Sequence, residues 1–128
     1  MKFFDSEVVR AEMTEISELQ DEVYGSVFQF PQMDRDEKMH HVMLLERLLD
    51  KQKVLYTRLS LSDDPEAKAM KQRIIESASL VGLPPNVDIS VVFSNMSKML
   101  DTMKKVIDEM NKPKKIMIGV AIVIVIGV

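Results

Sequence analysis

The chain has 128 residues, a net charge of −3, 46% apolar and 29% charged residues, only 5% aromatics, four glycines, no tryptophan and no cysteine. This is a one-domain length with enough apolar content to fold, but too little aromatic content to suggest a β-sandwich. Without cysteine there is no disulfide, thiol nucleophile or thiolate-bound metal, and without a broad basic face there is little to attract nucleic acid.

The charge is unevenly spread. Residues 5–30 hold seven acids (Asp5, Glu7, Glu12, Glu15, Glu18, Asp21, Glu22) against Arg10, whereas residues 34–60 hold five acids and six bases. The N-terminus, MKFFDSEVV, turns charged too early for a signal peptide. The first helix is expected to start after Asp5 or Ser6, either of which can cap it, with Phe4 folding back on Val9. Val9, Met13, Ile16, Val23, Val27 and Phe30 keep a seven-residue rhythm, with Gln20 in the missing place and acids on the outer face. Gly25 weakens its last turns and Pro31 ends it.

Asp34 to Glu37 has the pattern of a capping box, opening a second helix that runs to about Leu61. Its apolar stripe is Val42, Leu45, Leu49, Tyr56 and Leu59, with Gln52 in the remaining slot and Leu44, Leu48 and Leu55 widening the face. The short connection between these two helices predicts an antiparallel hairpin of helices about 25 residues, or roughly 37 Å, long. Ser62-Asp63-Asp64-Pro65 then stops one helix and starts the next, with Pro65 at the first helical position. Helix three is expected over Pro65 to about Val81, burying Ala67, Met70, Ile74, Ala78 and Val81. Gly82 stands where a left-handed cap is wanted, and Pro84-Pro85 block continuation. Helix four follows Asp88 and is expected to stop before Pro113. Ile89, Phe93, Met96, Leu100, Met103, Ile107 and Met110 step by four and three, a coiled-coil-like seam, and Val92, Met99 and Val106 thicken it.

The expected fold is therefore all-α: a long antiparallel helical hairpin plus two further helices, four-helix-bundle-like, over residues 3–111. Residues 112–128 form a basic, then apolar, tail. In the tail, Lys112-Pro113-Lys114-Lys115 precedes 13 uncharged residues, IMIGVAIVIVIGV. As a helix these span roughly 20 Å, short of the roughly 30 Å hydrocarbon core. Three readings stay open. Residues 116–128 are a short membrane anchor with its lysines at the cytoplasmic face, a β-branched segment that pairs with another chain, or an accident of the reading frame.

FFDSEVV near the start, MDRDEK opening helix two, LLDKQKVLYTRLSLSDD across its end, and VGLPP followed by NMSKMLDTMKK resemble a family of small uncharacterised proteins, principally of cyanobacteria and also of cyanophages. The resemblance covers roughly residues 2–110, and the FF-D-S-E opening and R-x-x-LS-x-D element are its more specific parts. It implies a small soluble protein, and it carries over no activity and no catalytic residue. Members end near helix four, so the apolar tail departs from the pattern.

Chemistry-bearing motifs are few. Glu37-x-x-His40 has the spacing of carboxylate di-metal bundles, but a second such motif is missing, His40 and His41 are adjacent, and Glu37 has a capping role. A symmetric dimer is the one route to a metal there. The acids Glu12, Glu15, Glu18 and Glu22 read as a solvated face, or as one that steers a basic partner. Met96, Met99, Met103 and Met110 read as core packing, or as an adaptable strip for another chain. Arg58 and Asp63-Asp64 read as fixing the helix two–three corner, or as a recognition point. No phosphate loop, nucleophile elbow or Ser/His/Asp set is present. The expectation is a cytoplasmic, non-enzymatic interaction or regulatory protein with no cofactor, an unidentified protein partner and a tendency to homo-oligomerise. Alternatives are a structural or assembly component and, as a minor case, a metal-binding bundle. Membrane association, if any, falls to the tail.

Overall fold

The computed structural model describes residues 2–80, 82–84 and 88–110. The expected helical end of residue 81, the Pro85 block and the whole 112–128 tail lie outside the described residues. Among the described residues there are four α-helices and no strand: α1 (Glu7–Ser26), α2 (Arg35–Leu61), α3 (Pro65–Leu80) and α4 (Ile89–Asp108). Short 3₁₀ turns over Phe3–Asp5 and Val27–Gln32 flank α1.

The helix boundaries follow from local chemistry. Ser6 caps α1 by accepting from the Val9 amide. At the far end α1 does not stop at Pro31 but narrows to 3₁₀ geometry at Val27. Three residues per turn keep Val27 and Phe30 on one side, and both stay buried, as the rhythm of the apolar residues predicts. The α2 capping box is complete: the Glu37 amide donates to Asp34 Oδ1 at 2.8 Å and the Asp34 amide to Glu37 Oε1 at 3.4 Å. The end of α3 is a Schellman motif. The Leu83 amide donates to the Ala78 carbonyl, the Gly82 amide to that of Ser79, and Gly82 has φ +92°. Asp88 caps α4 through the Ser90 amide at 2.9 Å. The α4 helix closes at Asp108, before Pro113 as expected, and the Met110 amide turns back to the Ile107 carbonyl.

Helix α2 is the hub, since α1, α3 and α4 each pack chiefly on it. On α1, Glu12 meets Arg58, Glu15 meets Lys51 and Ser26 meets His41, so later residues of α1 face earlier residues of α2 and the hairpin is antiparallel. On α4, Phe93 meets Tyr56, Lys104 meets Glu46 and Asp108 meets Arg35, so α4 is also antiparallel to α2. The core is continuous along α2 through Val42, Leu45, Leu48, Leu49, Leu55 and Leu59. Each such side chain contributes about 1.5–3 kcal/mol on burial. Gln52 is fully buried in the slot that the apolar stripe leaves open.

The N-terminal turn is tied to the α2–α3 corner. Asp64 Oδ2 accepts from the Phe3 amide at 2.6 Å, while its Oδ1 accepts from Glu66 at 3.1 Å and caps α3. These backbone donors hold the Asp64 carboxyl below the usual carboxylate range. The two more specific stretches of the family resemblance, FF-D-S-E and R-x-x-LS-x-D, thus meet in space. Arg58 binds Glu12 of α1 at 3.0 Å, so the corner itself is fixed by Asp64.

Candidate functional site

The acids of α1 divide between two environments. The side chain of Glu12 is only 13% exposed and pairs with Arg58; Glu15 pairs with Lys51 at 2.8 Å. The Lys51 hydrogen bond and charge hold the Glu15 carboxyl below its ordinary value. Glu18 and Glu22 are exposed. With Glu15, Leu19 and Arg47 they line an open groove of about 200 Å³ between α1 and α2. Half of the predicted acidic face therefore zips the hairpin, and the other half flanks Arg47 with carboxylates.

The Glu37/His40 pair is held apart from any ligand set by the same local forces. Glu37 is engaged in the capping box, and His40 is exposed in the first turns of α2. Among the described residues no three His, Asp or Glu side chains converge on a point where a metal could sit. No helix among them is long and apolar enough to cross a membrane.

His41 was not singled out from the sequence, yet its ring is 1% exposed. Its Nδ1 lies 3.1 Å from Ser26 Oγ, its ring is 5.3 Å from that of Phe30, and its Nε2 has no partner. Burial, with the neighbouring His40 charge, pushes its pKa down, so the imidazole is neutral at pH 7. Lys38 is also buried, its Nζ 5.5 Å over the Phe30 ring. Ser26, Phe30, Lys38 and His41 form a polar plug where α1, the 3₁₀ turn and α2 meet. Its signal in the sequence is that His41 stands four residues before Leu45, on the stripe.

Helix α4 carries two apolar rows. The inner row, Ile89, Phe93, Leu100 and Ile107, is buried against α2. The outer row is Val92, Met96, Met99, Met103, Val106 and Met110, again stepping by four and three. Met96, Met103 and Met110 straddle the two rows, half-buried and packed on the core. Met99 and Val106 are each 39% exposed. Of the four methionines marked by the sequence pattern, three therefore pack partly on the core and Met99 is exposed, along one ridge of α4. Asn95, Lys98, Thr102 and Glu109 run along its solvent-side rim, all exposed. The opposite edge of α4 is polar and closed, with Lys104 bound to Glu46 at 2.9 Å and Asp108 to Arg35 at 2.5 Å. Acid contacts to Lys104, Glu46 foremost, raise its pKa.

Residues 1–107 match the family model DUF1825, a domain of unknown function. The chain belongs to that family. No curated protein and no solved structure matches the chain. The DUF1825 match takes in both ends of the Phe3–Asp64 tie and reaches Ile107, the last residue of the inner row.

Proposed function

We propose that this DUF1825 member is a non-enzymatic helical interaction protein, with the outer row of α4 as its docking ridge. The observation that supports this reading is the apolar arc of α4, which is wider than α2 covers. Six apolar residues repeat at heptad spacing on the outward side, and two of them are 39% exposed. Methionine suits such a ridge, because its flexible thioether adapts to a partner's shape. A partner helix would pack its own apolar row between Met96, Met99, Met103 and Val106, in the helix-in-groove manner. The acids Glu18 and Glu22 lie on the other flanking helix and would steer basic segments at long range without forming the contact.

The test is affinity purification of the tagged full chain from lysate of its native cells, beside a Met99→Glu/Val106→Glu double variant. The wild type is expected to retain a defined set of chains, its own copies included, that the variant loses. Equal recovery by both, or none by either after crosslinking, would sink the reading.

A further inference from the structure

We infer that one end of the bundle rests on a lipid bilayer, with Phe28 inserted at the interface beside the apolar segment 116–128. The contact does not involve the α4 ridge. The Ser26–His41 contact and the Arg35–Asp108 ion pair gather the last turn of α1, the 3₁₀ turn over Val27–Gln32, the first turns of α2 and the last turn of α4 at that end. Phe28 is there, 91% exposed, more than any other large apolar side chain among the described residues. Val27 and Phe30 are buried, so the turn is pinned on both sides of Phe28 and holds its ring out in water. The fold gains nothing from an apolar ring in that place. Tyr24, 43% exposed, stands four residues earlier in the last turns of α1, and an aromatic ring with a polar tip suits the headgroup layer.

The second observation is the order of the residues that follow α4. From Met110, at this same end, the chain runs into Lys112-Pro113-Lys114-Lys115 and then into 13 uncharged residues, IMIGVAIVIVIGV. A basic cluster ahead of an apolar run matches the layers of a membrane: ammonium groups at the phosphates, aliphatic side chains beneath them. The linker from Asp108 to Ile116 reaches at most roughly 27 Å when extended, so an inserted apolar segment keeps this end of the bundle near the surface. Two weak contacts with one surface reinforce each other, because the first raises the effective concentration of the second. Stable attachment of a folded domain to a bilayer commonly takes such a pair. Of the acids at this end, Asp34 and Glu37 are engaged in the capping box and Asp36 and Asp108 share Arg35, and the tail lysines offset their charge against a phosphate surface. Leu61, at the far end of α2, is 81% exposed but stands away from the tail, which makes it the control.

The experiment floats the full chain with vesicles of phosphatidylcholine and phosphatidylglycerol, beside a lipid-free gradient. Wild type is expected in the vesicle fraction, whereas Val120→Asp/Ile124→Asp stays behind. Phe28→Ser, with unchanged helicity, should partition roughly tenfold less, the low end of what burying a phenylalanine ring gives. The chain has no native cysteine, so a single dye can be placed at Phe28→Cys or at Leu61→Cys. On vesicles carrying lipid-borne quenchers, the dye at position 28 is expected to be quenched and the dye at position 61 is not. Wild type that fails to float overturns the inference. Wild type that sediments alike with and without vesicles also overturns it, and assigns the apolar segment to pairing between chains. Equal partitioning of wild type and Phe28→Ser, or equal quenching at both positions, overturns it as well, because the segment would then hold the bundle without Phe28 meeting lipid.

Discussion

Helices α1 and α4 are each 20 residues long, and both lie antiparallel to α2. Each closes one edge against α2 with two ion pairs, Glu12–Arg58 and Glu15–Lys51 for α1, Lys104–Glu46 and Asp108–Arg35 for α4. They differ in what the packing leaves outside. Helix α1 shows water mostly polar and acidic groups, and its exposed Val8 and Tyr24 stand at opposite ends, too far apart to form a row. Helix α4 shows water Val91, Met99 and Val106, continuous with the half-buried methionines. A finished surface helix is apolar only across the arc its neighbour covers. By that measure α1 is finished and α4 has apolar surface left over. The difference also separates two kinds of sequence signal. The dense acids of α1 look like a recognition face, yet Glu12 and Glu15 are consumed by the hairpin. The methionines of α4 look like ordinary core, and three of the four do pack on it, yet Met99 and Val106 of the same row are exposed.

The change expected to act most strongly removes the common support of both helices. Leu45 is 1% exposed on α2. Leu45→Ala should cost about 3 kcal/mol, within the range for buried leucine truncations, read as a lower urea midpoint. It should loosen both flanking helices together. Hydrogen exchange that loosens only one would mean that the two sides of α2 do not share one core.

The polar plug gives the next effect, and it bears on the α1 side alone. His41 has a lowered folded-state pKa, so the unfolded chain takes up a proton that the folded chain refuses. Stability is therefore fully present above the ordinary imidazole value, near 6.5, and is lost as pH falls through it toward the depressed folded value. Lys38 beside Phe30 and the adjacent His40 add positive charge to the same end, and neither favours a charged His41. A urea-midpoint series from pH 7.5 to pH 5 checks this. His41→Gln should flatten the slope, whereas the exposed His40→Gln should leave it. Equal slopes in all three proteins would remove His41 as the cause.

The ion pairs sharpen the α1 edge on a smaller scale. Arg58→Ala leaves the largely enclosed Glu12 carboxylate without its partner and should cost roughly 1 kcal/mol. Lys51→Ala, in the more exposed pair, should change the urea midpoint less. A larger loss for Lys51→Ala would reverse the account of which acid is the structural one.

Much of this fold is written in short-range chemistry, which is why it is legible. The Asp34–Glu37 box, the Asp64-Pro65 restart and the Gly82 cap each depend on residues within one turn of each other, and the structure has all three. The slot predicted for Gln52 is also where the structure places it. What was not legible depends on helix rotation and on distant neighbours. His40 and His41 are adjacent and look alike, yet a 100° step puts one in water and the other in the plug. Whether Glu12 and Glu15 face solvent or Arg58 and Lys51 depends on how α1 is turned against α2. The burial of Phe30 follows the predicted rhythm, but the 3₁₀ turn that carries the chain through Pro31 to Gln32 has no signal of its own in the sequence. On α4 both apolar rows fit the same heptad arithmetic, and only the packing shows which row α2 takes.

The smallest expected effect on folding is the most informative for the α1–α4 comparison. Met99→Glu/Val106→Glu changes two side chains that are each 39% exposed and touch no ion pair. At a dilution where chains are separate, its urea midpoint should match that of wild type to within about 0.5 kcal/mol, as for other surface substitutions. At high concentration wild type should gain stability that the variant lacks, because association favours the folded state by mass action. A midpoint that rises with protein concentration in wild type alone assigns the left-over apolar surface of α4 to binding. A large loss in the dilute variant would instead assign it to the monomer's own core. In that event α4 would be as finished a helix as α1, its outer row being the far wall of the core that α2 begins.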